Sequence, residues 1–139
     1  MKSLTHKQLK KLCDTAWADL VKIRAGYKSE ISGKTDKLHS HHLRGKSNYR
    51  LRYELENGVC CTSGEHFFGF HVAGRREQYE QIIFNKRRKG LEEYLEKLKW
   101  DICKTSLANV YIYLKSELKK YEQVVYVNQG VANANRPKK

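Results

Sequence analysis

The stretch KLHSHHLRGKSNYRLRYELENGVCCTSGEHFFGFH, residues 37–71, holds five of the six histidines of a 139-residue chain. Metal binding, structure and accident are the explanations such crowding admits. His41 and His42 are neighbours, so on a strand they point to opposite faces and cannot do the same job. His66 and His71 are five residues apart, about 500° of rotation on an α-helix, or roughly 140° of offset. A straight helix splays them. For both to reach one metal the helix must begin or end between them, and Gly69 offers the place; otherwise one of the two is a surface residue. Cleavage of a phosphodiester needs a cation to offset charge and a base to activate water. Neutral imidazole can serve both needs near physiological pH.

Leu38–His42 reads as a short strand. "RGKSNYRLRYELENG" follows as a loop with room for one helical turn, ending at the turn Asn57-Gly58. Val59–Cys61 reads as the second strand of a hairpin, and Ser63 as the cap of a helix carrying Glu65, His66, Phe67, Phe70 and His71. Upstream, Thr5 caps a helix that runs to about Ala25 and is stopped by Gly26. Leu9, Leu12, Cys13, Ala16, Trp17, Leu20 and Ile23 share one side of it, and His6 is expected on its surface. The turn-rich "KSEISGKTDK" joins this helix to the first strand. From Glu77 the pattern is helical through Tyr79, Ile82, Ile83 and Phe84, until "NKRRKG" breaks it. From Leu91 to Glu122, Leu91, Tyr94, Leu95, Leu98, Ile102, Leu107, Val110, Leu114 and Leu118 keep amphipathic spacing, as one helix or as two with a bend near Thr105. Residues 128–139, with the sole proline, Pro137, read as a disordered basic tail. The expected class is α+β. A small ββα centre, about 28–84, is flanked by an N-terminal helix (5–25) and C-terminal helices (91–122), one domain over 1–127.

Lys and Arg total 28 against 15 Asp plus Glu, a formal net charge of +13. Such an excess repels itself in the folded state and points to a polyanionic partner, nucleic acid first and an anionic membrane surface second. No apolar run approaches the roughly 20 residues that span a bilayer. Leu4–Leu12 is interrupted by His6, Lys7, Lys10 and Lys11, unlike a signal peptide. A soluble intracellular protein is expected. Cys13, Cys60, Cys61 and Cys103 form no CxxC pair and read as reduced, mostly buried thiols rather than a metal site.

Over Lys28–His71 the sequence resembles the HNH endonucleases of the ββα-metal superfamily, especially small phage-type members. That family commonly shows C-x-x-C-G, then L-H-x-H-H-I, then N-G-V, then C-x-x-C-H. Here "SEISGKTDKLHSHHL", "ENGV" and "TSGEHFFGFH" occur in the same order: a histidine doublet, Asn-Gly before the second strand, and a histidine opening the next helix. The resemblance implies that His42 is the general base and that His41 is the metal ligand before it, a position often Asp in relatives. It implies that Asn57 braces the loop and orients the base. His66 matches the ligand at the start of the metal helix, and His71 stands where many relatives carry a further ligand at variable spacing. His39 is expected to pack or brace a neighbour.

Where many relatives place four zinc-binding cysteines, this chain has Ser29, Ser32, Thr62 and Glu65. Neutral hydroxyls are poor zinc ligands, so no structural zinc is expected. Cys60 and Cys61 are one or two residues out of register. The terminal helices, with Trp17, Trp100, Tyr94 and Leu98, are the expected substitute.

The resemblance further implies hydrolysis of DNA by one divalent ion, Mg²⁺ or Mn²⁺, with Zn²⁺ or Ni²⁺ also tolerated, leaving 5′-phosphate and 3′-hydroxyl ends. Arg44, Lys46, Asn48, Arg50, Arg52, Arg75 and Arg76 are candidate phosphate contacts, each weighed against a merely solvated charge. Lys86–Lys89 could extend the track. Tyr49 and Tyr53 read as core or loop anchors. Three functions fit: a metal-dependent DNA endonuclease, a structure-selective nuclease for branched DNA acting as a homodimer, and a non-catalytic DNA-binding relative. The C-terminal helix is either a dimer surface or an internal brace. The cytoplasm is the expected compartment, that of the host if a phage encodes the chain.

Overall fold

A computed structural model describes residues 3–102 and 104–134, with side chains as far as Glu122. The chain runs α1 (His6–Arg24), β1 (Leu38–His42), α2 (Tyr49–Arg52), a 3-10 turn (Leu55–Asn57) and β2 (Gly58–Thr62). It continues with α3 (Ser63–Glu65), extended by a π-helical turn (His66–Phe70), then α4 (Arg75–Lys86), α5 (Leu91–Lys99) and α6 (Leu107–Ala134). The class is α+β, with one two-stranded antiparallel sheet among helices. No helix among the described residues is long and apolar enough to cross a membrane.

Thr5 closes the start of α1 with a capping box to Gln8, satisfying amide groups the first helical turn leaves open. Gly26 (φ +67°) ends it. The hairpin pairs Leu38 with Thr62 and His42 with Gly58. Thr62, not Ser63, caps α3, again through a capping box, here with Glu65. The cap falls one residue early because Thr62 is both the last extended residue and the first with an oxygen to offer.

Both faces of the hairpin are covered, and each has its own core. On one side Leu38 and Cys60 meet Cys13, Ala16, Trp17 and Leu20 of α1, backed by Leu107, Val110 and Leu114 of α6. On the other, Val59 and Cys61 meet Phe70, Ile83 of α4, and Leu91, Leu95 and Leu98 of α5. Gly58 lets α1 lie directly on β2: a Cβ there would run into Val21 and Trp17.

The long amphipathic run is two helices, because its two apolar stripes serve different cores. Leu91, Leu95 and Leu98 belong to one, and Leu107, Val110 and Leu114 to the other. The break leaves Trp100 77% and Ile102 94% exposed. Of the aromatic residues expected to substitute for zinc, Trp17 is therefore buried and Trp100 is not. The tail expected to begin at Asn128 starts within α6, which runs to Ala134; residues 135–139 lie outside the described residues. Cys13, Cys60 and Cys61 are buried free thiols. Burial pushes Cys60 up to about 11 and Cys61 to about 12, so both stay protonated. Cys103 lies outside the described residues.

Ser29, Ser32, Thr62 and Glu65 do come together. The Ser29 hydroxyl donates to Glu65 Oε1 at 2.5 Å and accepts from the backbone N–H groups of Ile31 and Ser32. The Thr62 N–H donates to the same carboxylate oxygen at 2.8 Å, and the Glu65 N–H returns a bond to Thr62 Oγ1. Partial burial raises the Glu65 pKa, but these bonds, with one from Ser32, outweigh it and hold the carboxyl below its usual value. Its folded pKa therefore lies under the unfolded value of ~4.3. The associated stability is present above that value and is lost as pH falls through the folded one. Glu65→Gln is expected to lower stability by about 1–2 kcal/mol at neutral pH. In thermal melts run across the acid range, the wild-type Tm should fall more steeply than that of the variant; parallel slopes would refute this role.

Candidate active site

The spacing of His66 and His71 is resolved by the π turn. Its widened ladder bonds residue i+5 back to residue i, and the His71 N–H reaches the His66 carbonyl at 3.2 Å. The two rings then meet, Nε2 to Nε2, at 2.9 Å. The helix widens from His66 and does end between them, at Phe70, leaving His71 as its C-terminal cap. Gly69 is central to that geometry, since a Cβ on it would collide with the Tyr79 ring of α4. Phe70, the next residue, is buried against the same ring, edge to face at 5.4 Å.

His41 approaches from β1, on the face that looks toward the π turn. It is 7% exposed, stacked on Phe70 at 4.4 Å, and edge-on to His66 and His71 at 5.1 and 5.3 Å. Its Nε2 is buried without a hydrogen-bond partner among the described residues. A buried polar atom left unpaired is costly unless something else satisfies it. One ring nitrogen from each of His41, His66 and His71 lies within 4.8 Å of the others. Burial, then the neighbouring imidazoles, pushes His41 down to about 3 and His66 to about 4. Both are neutral in any ordinary buffer, as metal ligands must be. An orphaned buried ring nitrogen beside two further imidazoles is a donor set that fits a metal ion.

His39 shares the face of His41 and braces rather than joins the set. Its Nδ1 lies 3.1 Å from His66 Nδ1. If His66 donates across that contact, its Nε2 carries the free lone pair on the side where His71 waits. Partners of this kind fix the tautomer of a ligating histidine.

His42 faces the other way. Its ring stacks on Trp17 at 3.9 Å, 7° from parallel, and its Nε2 lies 3.0 Å from the Arg52 carbonyl. A carbonyl only accepts, so Nε2 carries the proton and Nδ1 is left as a base. Burial pushes His42 down to about 4, with the Arg52 carbonyl pulling partly against it. The carbonyl is itself anchored. Arg52 forms a two-point bridge to Asp14 of α1, Nε–Oδ1 2.9 Å and Nη2–Oδ2 3.0 Å, and the Tyr53 hydroxyl donates to the same carboxylate. Trp17 is fixed by its indole N–H on the Glu54 carbonyl. The wall and the clamp of the His42 ring thus both come from α1. Sequence reading placed Trp17 in the core and missed Asp14, one of two acids in a mostly basic helix.

Asn57 is completely buried and fully used. Its Oδ1 accepts from the Arg44 N–H, and its Nδ2 donates to the carbonyls of Gly45 and Leu51. It ties the end of β1 to α2, and so holds the loop that carries Lys46 and the Arg52 carbonyl.

The seven candidate DNA contacts separate into two groups. Arg44 is drawn inward by Glu80, Glu92 and Glu96 at 2.8–3.0 Å and lies over the Phe84 ring. Asn48 caps α2 and donates to the Leu98 carbonyl. Arg50 pairs with Asp101, and Arg52 with Asp14. These four hold the fold together. Lys46, together with Arg52, lines a cleft of about 430 Å³ with His41, His42, His66 and His71. Arg76 and Lys99, with Arg44, line an adjoining cleft of about 520 Å³ that shares His41, His42 and His71. Arg75 is exposed, its guanidinium on the Phe68 carbonyl.

Comparison with protein-family models, curated proteins and solved structures gave no match, so a functional reading rests on the chemistry of the site. The hydrogen bond to Arg52 fixes the tautomer of His42 in a way that can be read directly. ¹⁵N-edited NMR at neutral pH should show His42 protonated on Nε2 alone, and Asp14→Asn should broaden or mix that signal. A pure Nδ1–H form in the wild type would contradict the assignment.

Proposed function

We propose that the chain is a metal-dependent DNA endonuclease of the HNH type, hydrolysing phosphodiester bonds with one divalent ion. One observation carries this reading. His42, with Nε2 committed to a carbonyl and Nδ1 left basic, opens into the same cleft as the imidazole set His41, His66 and His71. A fixed base beside a preformed ligand set is what in-line attack of water on a phosphodiester requires.

His41, His66 and His71 would hold the ion. When bound, it supplies positive charge that stabilises the phosphate oxygens and the leaving oxygen. His42 Nδ1 takes the proton from the attacking water, and the resulting imidazolium keeps its bond to the Arg52 carbonyl. Trp17 fixes the plane of that ring. Lys46 offsets phosphate charge at the cleft wall, and Asn57 holds the loop that carries it. A set of three imidazole ligands ranks Zn²⁺ and Ni²⁺ above Mg²⁺ in affinity. Mg²⁺ or Mn²⁺ can still work there if water and phosphate oxygens complete the coordination. The Glu65 knot offers one committed carboxylate and three neutral hydroxyls, a set unsuited to zinc, so a single ion is proposed. Buried reduced thiols and a DNA substrate fit an intracellular setting, the host cytoplasm if a phage encodes the protein.

Supercoiled plasmid incubated with the protein in Mg²⁺, Mn²⁺, Ni²⁺ or Zn²⁺ tests this. Nicking or linearisation is expected with at least one ion, abolished by chelation and reduced about 10²- to 10⁴-fold in His42→Ala. DNA bound but uncut under every ion would make the chain a binding protein and overturn the proposal.

A further inference from the structure

The π turn that brings His66 and His71 together sends the two residues after His66 outward. Phe67 is 56% and Phe68 69% exposed, and Val72 adds to the patch. Neither phenyl belongs to either core. Phe67 touches the histidine cluster, edge-on to His39 at 5.6 Å and tilted against His66 at 5.1 Å. Arg75 donates to the Phe68 carbonyl at 3.2 Å, and Arg76 stands in the adjoining cleft. Two neighbouring aromatic rings left in water, with guanidinium groups and imidazoles around them in a chain of net charge +13, suit a polyanion that also carries flat apolar faces.

Nucleic acid is that polymer. In continuous duplex, however, the face of each base is covered by its neighbours, and only its edges reach the grooves. A phenyl ring can meet a base face only where a nucleotide is unpaired or unstacked. We propose that Phe67 and Phe68 form a stacking platform for unpaired bases next to the scissile phosphate. The site then prefers DNA containing bulges, bubbles, flaps or branch points over uninterrupted duplex. This inference rests on the endonuclease reading for the position of the phosphate, although stacking itself can be measured without cleavage.

The test uses the full chain and two oligonucleotides, a continuous duplex and the same duplex with a three-nucleotide bulge containing 2-aminopurine. Binding is followed by anisotropy in EDTA, stacking by 2-aminopurine fluorescence, and cutting in Mn²⁺. The wild type is expected to bind the bulged form at least about 10-fold more tightly and to quench its fluorescence. In Phe68→Ala the preference should fall about 5- to 100-fold, the range of one base–aromatic stack. Phe68→Trp should keep it and Phe68→Leu should lose most of it, although leucine preserves apolar area. Because Phe68 is exposed, thermal melts of these variants should match the wild type. Equal affinity for the two DNAs, or an unchanged preference in the Phe67→Ala, Phe68→Ala double variant, overturns the platform. Cutting without preference sinks the platform and leaves the nuclease standing; preference and quenching without cutting do the reverse.

Discussion

A two-stranded hairpin is at best marginally stable alone in water, and here each strand has only five residues. Every larger element is arranged to cover one of its faces. The strand period of two then dictates what each face receives. His39 and His41 go to the side of the π turn and α4, while Ser40 and His42 go to α1, where the Ser40 hydroxyl donates to the Ala18 carbonyl at 2.7 Å. Neighbouring histidines thus acquire different chemistry from different cores: one faces an apolar ring and two imidazoles, the other an indole and a carbonyl. They remain close enough to share a cleft because the sheet between them is a single strand thick.

Charge is used unevenly across the molecule. The acidic side chains are spent mainly on arginines that join distant segments: Glu30 to Arg87, Glu56 to Arg88, Asp14 to Arg52, and the three glutamates around Arg44. A planar guanidinium suits that task because it holds several acceptors in fixed directions. The surplus positive charge is left largely to lysines on the surface, where screening is strong and specificity low. Arg44 and Arg52 stand in the same basic stretch of sequence as Lys46, and it is the fold that brings carboxylates to them.

Much of the framework was legible because it rests on local rules. The capped first helix, the strand Leu38–His42 and the Asn-Gly entry to the second strand depend on side-chain oxygens, alternation and turn chemistry within a few residues. The opposed directions of His41 and His42 followed from strand geometry alone. What could not be read was set at long range. The π turn depends on Tyr79 pressing on Gly69 from another helix, so an α-helical pitch was the wrong ruler for His66 and His71. Asp14 matters only because α2 lands beside it. Trp100 carried every mark of a core residue, yet falls in the break where the chain passes from one core to the other.

The pairing of α1 with α6 also bears on how the molecule is made. The Cys13 thiol and the Leu107 carbonyl meet across 94 positions of sequence, so the core between these helices closes a very long loop. The other core draws on residues from Ile31 to Leu98. Contacts at short separation form sooner than those that await a distant segment, and a chain emerging from the ribosome meets the same order. The imidazoles on the π turn can therefore be assembled while the indole beside His42 still lacks the helix that covers it. During synthesis the histidine cluster would form while the core between α1 and α6 is still open.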